Sequence, residues 1–535
     1  MSPRAAADPS LAPRAFMLIA CAVALVLVAP IWLVDVVPTQ DGPIHLAQAD
    51  MIARFGWGGV LSEPTRTFYE WNARIEPNYS VYAVLAALIR MTGDAFRAQS
   101  VYLTLYGLFA VLAAYWAARA ETDRPLLPFL LLLPVIFGLF IHFGFFNYAL
   151  GLPAFLAFAA LWRAIERKRG VLSFLALALA LFALGLTHLA TVVAACLLLA
   201  AGGLARALKA VGTEPRGRTA LRLVGDGAWS AGAALPALGL IVAFLIAYPA
   251  ATTSPASLKY SIFQVVQRLV GMTYLFSYTW WELVALAPVI AAMVLAALLA
   301  LRAGVRNWRE GDLVWPVFVV LVLAVSALDL RTNQGVPLAE RLAPYSWMGA
   351  ALAIASRQPN AALTRVLCLA SALALAAQSA VRSLAYLGWA ETTRTVLETG
   401  ARHPEQSFAG ADVSGMASAR FSWRVQPGVH IHQIAAIRAR GVGMGSSLPS
   451  MRYYGYYPLR YVPSADFVFA LPEWEAQPDL PALAAFRAAH RGAPKVVIFI
   501  APNGGGPELS RAVGSEACSM AAGERRSVVV CIGPN

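Results

Sequence analysis

The sequence predicts a mostly α, polytopic membrane helical bundle followed by a smaller soluble α/β domain. Three observations carry that reading. Hydrophobic residues are 59% and charged residues 13% of the 535 positions, against about 45–50% and about 25% in soluble chains. Mean hydropathy is +0.62. The apolar residues come in long runs between short polar loops until about Leu387, where the chain turns polar and rich in Gly and Pro. Five cysteines in 535 residues are too few for a disulfide scaffold, and the composition excludes disorder and coiled coil. The net charge of +13 reads as topology and membrane-lipid headgroups rather than nucleic acid, for which there is no basic–aromatic signature.

The apolar runs predict eleven spans: about 16–36, 98–118, 127–141, 145–162, 171–187, 189–206, 229–250, 283–301, 313–329, 342–356 and 365–387. The first is long enough to cross a ~30 Å core at 1.5 Å per residue, so it reads as an anchor rather than a cleaved signal peptide. Val81–Arg90 is also apolar. It is too short to span, and the sequence lays it on the outer surface. Residues 37–97 then form one long outer loop with two amphipathic helices. With the N-terminus in the cytoplasm, the inner loops collect the basic residues, notably Arg119, Arg124, Arg163, Arg167, Lys168 and Arg169. Basic residues outnumber acids there, and the outer loops show no such excess, as the positive-inside rule requires.

Residues 390–535 form the second domain and fall outside, with residues 1–389 as the transmembrane module. Strands are expected at Phe467–Leu471, Val496–Ile500 and Ser527–Ile532, and a helix at Pro481–His490. Cys518 and Cys531 lie in this domain. They are either a disulfide of an oxidising compartment or two buried thiols. Cys21, Cys196 and Cys368 lie in spans and read as packing residues. Abundant Ala and Arg beside scarce Lys suggest a bacterial gene.

The polar residues expected at or near the outer face are Asp41, His45, Glu76, Asn78, His142, Asn147, His188, Asp329, Arg331, Glu340 and Arg341. Ionisable groups at membrane depth are costly and usually mark a pathway or site. Asp41 is a base or metal ligand with His45 one turn along, or else an N-cap beside a first-turn proline, Pro43, with His45 at the surface. No cofactor is certain. A divalent metal, Mg or Mn, at Asp41 and His45 is an option for which no third ligand is identifiable. His142 to Tyr148 is a tight aromatic hairpin, either an interfacial belt or a sugar contact through His142 and Asn147. His188 bonds a neighbouring carbonyl or takes part in substrate binding. Arg331 and Arg341 grip a lipid-linked phosphate, or they snorkel or pair with Asp329 and Glu340. Met451–Pro458 is an aromatic cluster, either a glycan platform or domain core. No P-loop, GxSxG, HExxH or CxxC is present.

Asn78-Tyr79-Ser80-Val81-Tyr82, leading to Thr92-Gly93-Asp94-Ala95-Phe96-Arg97, resembles the P-P-L-Y-Y … G-D … A-x-R run of the polyprenyl-phosphate-dependent GT-C glycosyltransferases. That class includes the aminoarabinose and protein mannosyl transferases. Asp41 early in a long first loop, the Glu340-Arg341 entry to a late span, and about eleven spans before an outer domain fit the same class. The resemblance implies a hexosyl- or pentosyltransferase of the bacterial inner membrane with a periplasmic C-terminal domain. Its donor is a polyprenyl-phosphate-linked sugar and its acceptor an envelope glycan or lipid. Asp41 matches the carboxylate that activates the acceptor hydroxyl, and Glu76, Asn78 and the arginines stand near the substrates. The next acid upstream, Asp35, is six residues away, where many members have paired acids, so Asp41 reads as a metal-free base. Two other classes fit the span layout: a transporter or flippase of a lipid-linked glycan or other amphiphile, and a non-catalytic envelope-assembly scaffold. No paired inverted halves support transport.

Overall fold

The computed structural model describes residues 13–72, 77–166, 168, 170–210, 215–247, 272–275, 277–302, 310–327, 338–357, 359–412, 425–444, 458–462, 495–502, 518–523 and 526–532. The expected strand at Phe467–Leu471, the helix at Pro481–His490 and the cluster Met451–Tyr457 lie outside the described residues, as do Glu76, Asp329 and Arg331.

In chain order the helices are α1 (Pro13–Val28), α2 (Gly42–Phe55), α3 (Thr65–Phe68), α4 (Ser80–Thr92), α5 (Ala95–Glu121), α6 (Leu126–Leu132), α7 (Leu139–Phe143), α8 (Phe146–Ile165), α9 (Val171–Thr187) and α10 (Leu189–Ala210). They continue with α11 (Arg216–Ala247), α12 (Trp281–Arg302), α13 (Glu310–Ala327), α14 (Leu338–Ser356), α15 (Ala361–Arg402) and α16 (His432–Ala439). The strands are β1 (Tyr69–Trp71), β2 (Ser407–Asp412), β3 (Val442–Gly443), β4 (Leu459–Tyr461), β5 (Val496–Pro502), β6 (Cys518–Ala522) and β7 (Arg526–Ile532).

Each of the eleven expected spans coincides with helix among the described residues. Among the described residues, eight helical segments are long and apolar enough to cross a membrane, from Arg14–Leu33 with a mean hydropathy of 2.7 to Ala361–Arg402. Val171–Thr187 and Asp312–Ser326 are apolar but shorter. The span helices turn large apolar side chains outward, Leu18, Leu172, Leu235 and Leu369 among them. In water such exposure is a liability, whereas lipid tails solvate it. The chain is a membrane protein.

The chain divides into two compact units. The first takes Met1–Ala29, Thr104–Gly138 and Asn147–Val381. Within it α13 packs on α14 and α10, and α11 on α9 and α10. Lipid-embedded helices approach closely where a residue is small: Gly349 meets Phe318 and Val319, and Gly202 meets Trp162. Phe155 stacks on Phe318 with ring centroids 5.6 Å apart. Two half-buried arginines are paired with acids. Arg163 holds Glu121 in a fork at 2.6 and 3.0 Å, and Arg206 holds Asp226 at 2.7 Å.

The second unit takes Pro30–Leu103, Leu139–Phe146 and Arg382–Asn535. It therefore combines the first loop and a short hairpin with the C-terminal region, a different cut from the composition break near residue 390. Its sheet has the order β3-β2-β5-β7-β6. β2 pairs in parallel with β3 and β5, and β7 is antiparallel to β5 and β6. The central β5 is an unbroken apolar run, buried from Val496 to Ala501, as a strand covered on both faces must be. Cys518 and Cys531 stand opposite each other in the β6–β7 register and form a disulfide. β1 of the first loop pairs antiparallel with β4, Tyr69 opposite Tyr461.

The two outer helices pack on each other. α4 has 13 residues, about 20 Å at 1.5 Å per residue, short of a bilayer core. α2 departs from the amphipathic surface helix expected. Every residue from Gly42 to Ile52 is buried, because α4 and α16 both pack against it. Its polar residues are bonded inside: Gln48 Oε1 accepts the Leu459 N–H at 3.1 Å.

Candidate functional site

Asp41 opens α2, with Pro43 in the first turn, where a missing N–H costs nothing. The cap reading of Asp41 does not describe its side chain: it makes no capping hydrogen bond. Its backbone is fixed instead by the hairpin. Asp41 N–H donates to Phe143 O at 2.8 Å, and Gln40 N–H to His142 O at 3.0 Å. The two backbones touch through glycines. A Cβ on Gly144, which has φ +87°, would overlap Gly42 N. The chain thus reserves Gly42 and Gly144 for a contact made by backbone, in which the Asp41 carboxylate takes no part.

That carboxylate belongs to a residue only 6% exposed. Its Oδ1 lies 3.5 Å from Nε2 of His430, whose side chain is fully buried. His430 precedes α16, and the residue-by-residue reading of the sequence did not single it out. Asp412 ends β2, and its carboxylate packs against Gly428, two residues before His430. The sheet thereby braces the turn that presents the imidazole.

His45, one turn beyond Asp41, is buried rather than at the surface. Its Nδ1 is 2.6 Å from Tyr82 Oη, and its ring lies 6.1 Å from Phe146. Burial pushes its pKa down to about 4; Asp41 opposes that and His430 adds to it. His432, 6.3 Å from the His430 ring, is pushed by burial, then by His430, down to about 3. Both imidazoles are neutral at physiological pH. Asn78 is buried in the left-handed region at φ 74°, a conformation Asn tolerates better than most residues. Its Oδ1 has no hydrogen-bond partner among the described residues. His142 Nε2 is 2.8 Å from Tyr386 Oη, which makes it a buried, bonded histidine of the hairpin.

Magnesium and manganese prefer oxygen ligands in octahedral array. Around Asp41 the neighbouring groups are imidazoles, and no group of three His, Cys, Asp or Glu among the described residues is placed to hold a metal ion. These residues do not fit such a site.

In the first unit a second cluster surrounds Arg341 in the first turn of α14. Arg341 is 7% exposed, so it does not snorkel. Its guanidinium Nη1 lies 2.8 Å from His188 Nε2, and its carbonyl accepts Tyr148 Oη–H at 2.5 Å. His188 Nδ1 also faces the Ala190 N–H at 3.1 Å. Thr191 Oγ1 and Tyr345 Oη, 2.8 Å apart, complete the polar layer, while Glu340 and Asn147 are buried nearby in sequence.

No family model and no curated protein matches the chain. Among solved structures it is similar to ArnT from Cupriavidus metallidurans bound to undecaprenyl phosphate. The TM-score is 0.54 and the identity 13%, over 98% of this chain and 100% of that one. The apo state of that protein matches with the same TM-score and identity, over 98% and 99%. At this identity the likeness is one of fold, and it runs through the membrane helices and the C-terminal region together. The chain has a GT-C-like fold.

Proposed function

We propose that the protein is a membrane glycosyltransferase that moves a sugar from a polyprenyl-phosphate donor to an envelope glycan or lipid acceptor, with inversion. The observation that carries this reading is the full-length likeness to a structure that holds undecaprenyl phosphate. Asp41 is the base. The acceptor oxygen bonds to the anomeric carbon, the carbon–oxygen bond to phosphate breaks, the lipid phosphate leaves with the electron pair, and the hydroxyl proton passes to Asp41. His430 is a positioning residue that holds the carboxylate through Oδ1. Arg341 offers the guanidinium for the donor phosphate, with His188 fixing its orientation. Arg331, Glu76, Asn78 and Asn147 remain expected substrate contacts. The reaction faces the periplasm of a bacterial inner membrane, and the N-terminus lies in the cytoplasm. The basic inner loops and the Cys518–Cys531 disulfide, which suits an oxidising compartment, support that orientation.

Mass spectrometry of envelope glycans and glycolipids tests the proposal in a strain lacking the gene, complemented with the native gene or with Asp41→Asn. One sugar is expected to vanish on deletion and to return with the native gene alone. In an isolated transfer assay, Asp41→Asn is expected to lose about 10²–10⁴-fold in kcat. Unchanged glycans on deletion overturn the enzyme reading. Equal restoration by both genes overturns Asp41 as the base.

A further inference from the structure

A cavity of about 570 Å³ opens within the first unit, and none of its lining residues is assigned above to catalysis. It is lined by the start of α1, the end of α5, the start of α6, the end of α14 and the start of α15. Under the basic-residue bias these ends all belong to the cytoplasmic face. The walls are mostly apolar, with Phe16, Leu108 and Leu112 among them, and the polar lining includes Arg119, Arg124 and Arg365.

These three arginines differ from the arginines of that face that are paired with acids. Arg163, Arg206 and Arg357 each hold a carboxylate, Glu121, Asp226 and Asp312 respectively. Among the described residues Arg119 has only the Asp123 carbonyl, at 3.4 Å. The side chains of Arg124 and Arg365 have no hydrogen bond or ion pair among the described residues. Asp123 lines the same cavity, which leaves three guanidinium groups against one carboxylate. Unspent cations above apolar walls at the membrane surface match one kind of ligand: a phosphate headgroup with hydrocarbon attached. A soluble phosphate has no use for the apolar walls, and a zwitterionic lipid brings no net charge to offset the excess.

We propose that this cavity is a binding site for an anionic diacyl phospholipid of the cytoplasmic leaflet, its phosphate on Arg119, Arg124 and Arg365 and its chains along α1 and α5. The site is independent of the glycosyltransferase reading. Native mass spectrometry of the full-length protein in mild detergent tests it, with phosphatidylglycerol and phosphatidylcholine titrated separately. Phosphatidylglycerol is expected to be retained more tightly. The combined variant Arg119→Gln, Arg124→Gln, Arg365→Gln is expected to weaken it by about fivefold per arginine, roughly a hundredfold in all at low salt, with phosphatidylcholine unchanged. Leu112→Trp narrows the apolar wall while keeping every charge, and is expected to weaken phosphatidylglycerol as well; it serves if the triple variant does not fold. Equal retention of the two lipids, or phosphatidylglycerol binding unmoved by both variants, overturns the site. Displacement by inorganic phosphate, or loss of undecaprenyl phosphate alone in the triple variant, overturns the assignment to a diacyl lipid.

Discussion

Asp41 shares its buried neighbourhood with His45 and His430, and the chemistry of that group follows from burial. Charging an imidazole there means removing it from water, so His45 is held neutral with its pKa near 4. Unfolding returns it to its ordinary value of 6.5. The folded value is the lower, so the unfolded chain takes up the proton first. The contribution to stability is complete above about pH 6.5 and is lost as pH falls toward 4. For His45 alone this amounts to about 3 kcal/mol. Thermal unfolding in detergent is expected to show a melting temperature that drops between about pH 7 and about pH 4.5, and His45→Asn is expected to flatten that drop. A pH-independent melting temperature in the native protein refutes it. His430→Gln is expected to cut kcat about ten- to hundredfold, the cost of a charge-assisted bond. Native kcat in His430→Gln overturns its role as a positioning residue. At this scale Asp41 stands out in the sequence as a candidate, through its place in the first loop and the family resemblance. His430 was not, because a lone histidine before a short helix carries no local signal.

Among the elements, the hairpin between α7 and α8 decides where Asp41 sits. Gly144 is required twice over, by its φ of +87° and by its approach to Gly42. Gly144→Ala is expected to cost about 1–3 kcal/mol of stability from backbone strain alone and to reduce transfer by displacing Asp41. A melting temperature equal to the native one counts against the contact. The sequence placed this hairpin correctly between two spans, since aromatic and glycine residues between apolar runs mark a turn. It left the hairpin's role open between an aromatic belt and a sugar contact. The structure adds a third role, that of clamp, through two backbone hydrogen bonds. α2 makes the same point. Its start was readable from Asp41 and Pro43, yet its burial on every side comes from α4 and α16, the latter supplied by the C-terminal region.

For the whole molecule, the basic inner loops predict which side each loop faces. Single cysteines placed at Lys168 and at Glu405, in a background free of Cys21, Cys196 and Cys368, are expected to react differently with a membrane-impermeant maleimide in intact cells. Glu405 labels and Lys168 does not; the reverse pattern inverts the topology. The sequence by itself determined the membrane character, the places of the spanning helices and the strands β5 and β7. Hydropathy and periodicity are local properties, and local properties survive in a one-dimensional string. Only the tertiary structure decided that the first loop, the hairpin and the C-terminal region form one unit. It alone brought His430 to Asp41, His188 to Arg341 and β1 to β4. Such pairings are fixed by which buried surfaces and backbone groups satisfy each other across the chain, and no spacing within a segment records them.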